Sequence, residues 1–98
     1  MNAALIIPAI RQVIEQIEPG HIFDSHFVIA MLIRDHSNEY IRFAASFPQA
    51  GFTTENMHSH LSKQIPLCGI PVIRQQPQAW SVNIHGIAGP CACWRKTP

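Results

Sequence analysis

Apolar positions near the N-terminus recur with helical spacing. Ile6, Ile10, Val13, Ile14 and Ile17 lie at offsets of 0, 4, 7, 8 and 11, which forms one continuous stripe on an α-helix. Pro8 falls where a first turn tolerates it, and Pro19-Gly20 predicts the stop. After the short apolar connector His21-Ile22-Phe23, Asp24 and Ser25 offer N-cap oxygens to a second helix over about Ser25 to Asp35. That helix would bury Val28, Met31 and Leu32, an i, i+3, i+4 set. The polar run Asp35-His36-Ser37-Asn38, with a new cap at Ser37, predicts a break and a third helix over Asn38 to Phe47. Tyr40, Ile41, Ala44 and Phe47 would face inward; one uninterrupted helix from 25 to 47 is the competing reading.

Pro48-Gln49-Ala50-Gly51 reads as a turn, after which Thr53 or Thr54 caps a fourth helix from Thr54 to Gln64. Glu55 sits in its first turn, where the helix dipole favours a carboxylate. This helix has a narrow apolar seam, Met57 and Leu61, extended by Ile65. Asn56, His58, Ser59, His60, Ser62, Lys63 and Gln64 cover the rest of its circumference. Pro66 and Gly69 end it. Beyond Gly69 the texture is extended: Ile70 to Gln75, the alternating Trp80-Ser81-Val82-Asn83-Ile84, and Cys91 to Lys96. Pro77 and Gly86-Ile87-Ala88-Gly89-Pro90 separate these runs. Two or three short antiparallel strands fit.

At 98 residues the chain has room for one modest core, so the expectation is a single α+β domain, helices first and a small β-hairpin or three-stranded sheet last. With 47% hydrophobic and 13% charged residues it should fold rather than remain disordered. An odd count of three cysteines, two of them at Cys91 and Cys93, does not make a secreted disulfide framework and fits a reducing cytoplasm. The longest apolar run, Phe27 to Ile33, is far short of the roughly 20 residues a membrane helix needs. Ala3 to Ile10 has no Lys or Arg ahead of it and continues into the helical pattern, so it is assigned to the fold rather than to a signal peptide.

The order helix, extended connector, helices, polar-faced helix, glycine, strand, loop, strand resembles the winged helix-turn-helix arrangement of small bacterial DNA-binding proteins. The segment that carries the resemblance is His58-Ser59-His60-Leu61-Ser62-Lys63-Gln64-Ile65-Pro66-Leu67-Cys68-Gly69-Ile70-Pro71-Val72-Ile73-Arg74. In that family a recognition helix ends in an apolar pair, a glycine turns the chain, and a strand with a basic residue leads into the wing. The resemblance covers roughly residues 20 to 96 and implies a winged-helix-like fold that binds double-stranded DNA without enzymatic activity. Two features depart from it. The stretch from Gln75 to Pro90 is long for a wing and has no Lys or Arg at its tip, and the added N-terminal helix, residues 1 to 18, is either a core element or a homodimerisation element.

Charge is distributed unevenly. Residues 1 to 47 hold three Lys/Arg against five Asp/Glu, net −2, whereas residues 48 to 98 hold four against one, net +3. On this reading Lys63, Arg74, Arg95 and Lys96 contact phosphates, the salt-dependent and sequence-independent part of affinity. Asn56, His58, Ser59 and Gln64 are the groove-facing candidates, since their donors and acceptors match base edges. The alternative on the same scaffold is a protein-interaction or dimerisation module that uses the apolar N-terminal helix and the loop from Trp80 to Pro90 and binds no DNA.

Other chemistry has less behind it. His58-x-His60 and Cys91-x-Cys93 supply ligand types that Zn²⁺ takes, but residues two apart on a helix point in different directions, so the two histidines cannot share one ion. Cys91 and Cys93 would share a face on a strand; otherwise they are small buried hydrophobes. No metal or cofactor is expected. His21, His26, His36 and His85 are scattered, and surface or capping roles suffice for them. No nucleophile elbow, phosphate loop or carboxylate pair supports catalysis. Trp80 and Trp94 are expected to pack in the core against the helices.

Overall fold

The structure, a computed structural model describing residues 1–98, opens with a short 3-10 turn, Ala3–Leu5, capped by the Asn2 side-chain oxygen. It continues into α1, Ile7–Glu15, with Pro8 in the first turn. The predicted stripe is the buried face, where Ile6, Ile10, Val13 and Ile14 all lie inside with Ala9. Each such large side chain adds about 1.5–3 kcal/mol of hydrophobic stabilisation, counted as an upper estimate. The helix stops at Glu15, ahead of Pro19. Its end is secured from the far end of the chain: Lys96 Nζ donates to the carbonyls of Ile14, Glu15 and Ile17 at 2.9, 3.3 and 2.6 Å. An ammonium at that point also complements the negative end of the helix dipole.

Residues expected as a connector form a strand, β1, Ile22–Asp24. Asp24 then caps α2, Ser25–Asp35, its carboxylate accepting from the Phe27 amide at 2.8 Å. Val28, Ile29 and Leu32 are buried and Met31 half-buried. The chain breaks at His36 and resumes as α3, Ser37–Ala45. Ser37 is the first residue of α3 rather than its cap, and its hydroxyl donates back to the Ile33 carbonyl. The inward face of α3 also differs from expectation. Phe43 is fully buried with Tyr40, Ala44 and Phe47 beside it, whereas Ile41 is 62% exposed. Phe43 stands three residues after Tyr40 and four before Phe47, so these three share a stripe from which Ile41 is excluded.

α4, Thr54–Lys63, is capped by Thr53, whose hydroxyl accepts from the Asn56 amide at 3.1 Å. Met57 and Leu61 anchor it, and buried Ile65 extends the seam through a 3-10 turn, Ile65–Leu67. Gly69 then takes φ +93°, and a Cβ there would lie 2.5 Å from Arg11 Nη1. That guanidinium reaches the Cys68 carbonyl at 3.4 Å. Left-handed backbone and a close neighbour both favour glycine.

Four more strands follow: β2, Val72–Arg74; β3, Ala79–Val82; β4, Ala88–Cys91; and β5, Cys93–Lys96. β5 lies between β1 and β2 in a three-stranded antiparallel sheet, and β3 with β4 makes a separate hairpin. One row of the sheet reads Phe23, Trp94, Arg74, and the next reads Ile22, Arg95, Ile73. Neighbouring rows point to opposite faces. The first faces the helices, since Phe23 and Trp94 belong to the 15-residue buried cluster; the second faces outward, with Ile22 and Ile73 exposed. The fold is therefore α+β, four helices with a small antiparallel sheet and a hairpin, compatible with a winged-helix-like layout. Two expectations are corrected. A strand precedes three of the helices instead of all strands coming last, and Trp80 is 72% exposed on the hairpin while Trp94 alone is core. No helix is long and apolar enough to cross a membrane.

Candidate nucleic-acid interface

α4 buries only Met57 and Leu61, so the opposite side of the helix is a ridge of Glu55, Ser59 and Lys63 at i, i+4 and i+8, flanked by Asn56 and Ser62. This ridge forms one wall of a cleft of about 680 Å³. The opposite wall is the turn of the hairpin, Asn83 to His85, with Pro90 and Cys91. The start of α2 closes one end with Ser25 and His26, and Arg74 and Trp94 of the sheet complete the lining.

Side-chain bonds hold the hairpin in place over the cleft. His26 Nδ1 and Ser81 Oγ are 2.7 Å apart, joining α2 to β3, and Ser81 Oγ lies 3.6 Å from Cys91 Sγ. At the hairpin turn, His85 Nε2 stands 3.4 Å from Thr54 Oγ1 at the start of α4. His58, on the flank of α4, has its Nε2 2.7 Å from Tyr40 Oη. Burial holds the His58 ring below its ordinary pKa, and the neighbouring His85 and His26 push the same way. Burial also raises the Tyr40 phenol. Both effects favour a neutral pair in which the phenol donates to the ring.

Of the eight predicted contact residues, His58, Ser59, Lys63 and Arg74 line this one cleft. Asn56 is exposed on the ridge outside it, its amide donating to the Gly51 carbonyl at 3.4 Å. Gln64 turns away, capping the end of α4 and donating to the His60 carbonyl at 3.2 Å. Arg95 is on the outward face of the sheet, because it alternates with Trp94 along β5. Lys96 is withdrawn as well, its ammonium occupied by three carbonyls at the end of α1. The C-terminal cations therefore do not form one patch with α4.

Lys63 and Arg74 remain. The ion pairs of the chain, Arg11–Glu15, His21–Glu18 and Arg34–Asp35, all lie elsewhere. Arg74 is held by its own stacking partner, its guanidinium carbon 5.6 Å from the centre of the Trp94 ring, an arrangement that fixes a cation without neutralising it. Glu55 is the acid of the cleft. Eight residues separate it from Lys63, about 12 Å along the axis, so the C-terminal half of α4 is the positive half.

The sequence did not reveal His26, Asn83 and His85 as cleft residues. Asp24 as a cap fixes His26 in a first turn, but nothing local brings the hairpin back onto α4. The three cysteines are buried and unpaired, and His58 and His60 diverge, the first to Tyr40 and the second to the Phe47 ring. No three His, Cys, Asp or Glu side chains converge on a point where a metal could be held. The apolar stripe of α1 lies inside the chain's own core, leaving Arg11, Gln12, Glu15 and Gln16 as its outward residues. No known protein family, curated protein or solved structure matches the chain.

Proposed function

We propose that this chain is a non-enzymatic module that binds double-stranded DNA, with the outward ridge of α4 as the reading surface and Lys63 and Arg74 as the phosphate contacts. One observation carries the reading. Two cations from separate elements, neither with a carboxylate partner, line a single cleft beside exposed hydroxyl and amide groups of one helix. Phosphate contacts from such cations fix register and orientation, while Asn56 and Ser59 supply donors and acceptors of the kind that pair with base edges. Relative to the reading from sequence, the phosphate set shrinks from four residues to two. Two contacts make a weak, salt-sensitive binder, with a dissociation constant on the order of 10⁻⁵ M at low salt.

The test is anisotropy of a labelled random duplex at about 50 and about 200 mM salt. The chain should bind at the lower salt and lose most of its affinity at the higher. Lys63→Ala and Arg74→Ala should each weaken binding about fivefold or more, while Lys96→Met leaves it unchanged. Absence of binding at low salt, or parental affinity in both cleft variants, removes the reading.

A further inference from the structure

Between Arg74 and Arg95 the chain runs from Gln75 to Trp94 without one Asp, Glu, Lys or Arg. The β3–β4 hairpin lies in this stretch, and its register pairs Trp80 with Pro90 and Val82 with Ala88. The Asn83 amide donates to the Ile87 carbonyl at 2.9 Å. Hydrogen-bonded pairs alternate along an antiparallel ladder, so Ser81 with Gly89 and Ala79 with Cys91 are the other bonded pairs. The N–H and C=O groups of Trp80 and Val82 therefore point away from β4, toward a side where no further strand lies. Pro90, which lacks an N–H, occupies an outward position on β4, where proline is tolerated. Pro90 and Cys91 of β4 line the cleft, as do Gln78 and Asn83 just outside the ends of β3, but no residue of β3 itself does, and no further strand pairs with its rim.

Apart from its shortness, four residues, that rim carries few of the devices that keep an edge strand solitary: within β3 there is no charge and no proline, and no further strand pairs with it. The side chains above it are apolar as well. Trp80 is 72% exposed and Val82 59%, on the face opposite Ser81, which points to His26; Ile87 at the turn is 61% exposed.

We propose that two copies of this chain pair through β3, edge to edge and antiparallel about a two-fold axis, fusing their hairpins into one four-stranded sheet. The occupant is a second copy because the surface complements itself. Pairing centred on Ser81 sets Trp80 opposite Val82 of the other copy twice over, an aromatic and β-branched match, and each residue exchanges two main-chain hydrogen bonds with its opposite. A charge-free rim meets its own image without repulsion and offers a charged partner nothing to neutralise. Trp80, Val82, Ile87 and Ala88 expose on the order of 500 Å² per copy, below the roughly 800 Å² per partner of a standard interface. The dimer is therefore reversible, with a dissociation constant on the order of 10–100 μM. It does not depend on the DNA reading, and Lys63→Ala and Arg74→Ala should dimerise as the parent does.

Sedimentation equilibrium of the full chain over about 5 to about 500 μM tests this. The parent should shift from monomer to dimer across that range. Val82→Lys and Trp80→Lys each place an ammonium on the rim at exposed positions and should raise the dissociation constant at least about tenfold. Circular dichroism and thermal melting verify that each variant is folded. Ile73→Lys, on the outward face of the three-stranded sheet, should dimerise normally. A parent that stays monomeric throughout overturns the proposal and leaves the rim to a strand of some other protein. It is equally overturned when the folded rim variants dimerise like the parent, or when Ile73→Lys abolishes the dimer.

Discussion

Lys96 and Arg74 project from the same face of one three-stranded sheet, in the rows Val72–Lys96 and Arg74–Trp94, and they do different work. On the α1 side the Gln16 and Ile17 amides cap the Val13 and Ile14 carbonyls, but the Glu15 and Ile17 carbonyls have no backbone donor, and the lysine is drawn onto these two and onto Ile14. On the α4 side the Gln64 amide caps the Leu61 and Ser62 carbonyls in the same way, and the chain runs straight on into the 3-10 turn, which takes up the Gln64 and Ile65 carbonyls. Arg74 is left without a carbonyl to hold and stacks on Trp94 instead. A cation is available to a ligand when the nearby helix end is already satisfied. Sequence charge counts both residues alike; the state of the two helix ends separates them.

The largest effect expected from this contrast is on stability. Lys96→Met should destabilise the chain by about 2 kcal/mol, since it strips charged hydrogen bonds and a dipole partner from the end of α1. Melting would register a fall of about 10 °C, with DNA affinity unchanged when measured well below the new transition. Arg74→Met should give the opposite pattern, a small shift in melting and a clear loss of binding.

Next in size is Gly69→Ala, which must adopt a left-handed backbone and displace the Arg11 guanidinium. A cost of about 1–2 kcal/mol in denaturant unfolding is expected. Arg11→Ala in the same background should recover part of it by removing the close contact while leaving the backbone strain.

pH probes the cleft from within. The folded chain holds His58 below its ordinary pKa, chiefly by burial. The unfolded ring therefore takes up a proton more readily, so this group's contribution to stability is present above the ordinary histidine range, near 6.5, and is lost as pH falls below it. The melting temperature should rise between about pH 5 and about pH 7.5, and His58→Gln should flatten that rise. A steeper rise in His58→Gln would contradict the assignment.

The smallest effect concerns Glu55, the carboxylate on the α4 ridge. Glu55→Gln should tighten duplex binding by about two- to threefold by removing a charge that repels phosphate.

The local elements were legible because their signals are local. The caps at Asp24 and Thr53, the break near His36, the seam of Met57 and Leu61 and the stop at Gly69 each depend on a few neighbouring residues. β1 was not legible as a strand, because three residues are too few for an alternation to show and its identity depends on pairing with β5 some seventy positions away. β4 carries Gly89 and Pro90, which read as a loop, and it forms a strand only because β3 lies alongside. The candidate site was half legible for the same reason. The exposed ridge of α4 follows from helical spacing, whereas the fates of Arg95 and Lys96 are decided by strand alternation and by a helix end in a distant part of the chain.

On the proposed function, the ridge of α4 and Arg74 form one surface that duplex DNA occupies. Amide chemical shifts of the labelled chain, followed while a short random duplex is added at low salt, address it residue by residue. The largest changes should fall on Asn56, Ser59, Lys63 and Arg74, with Ile22, Ile73 and Arg95 unmoved. Changes centred instead on the outward face of the sheet, or no changes at all, would rule out DNA binding at this ridge.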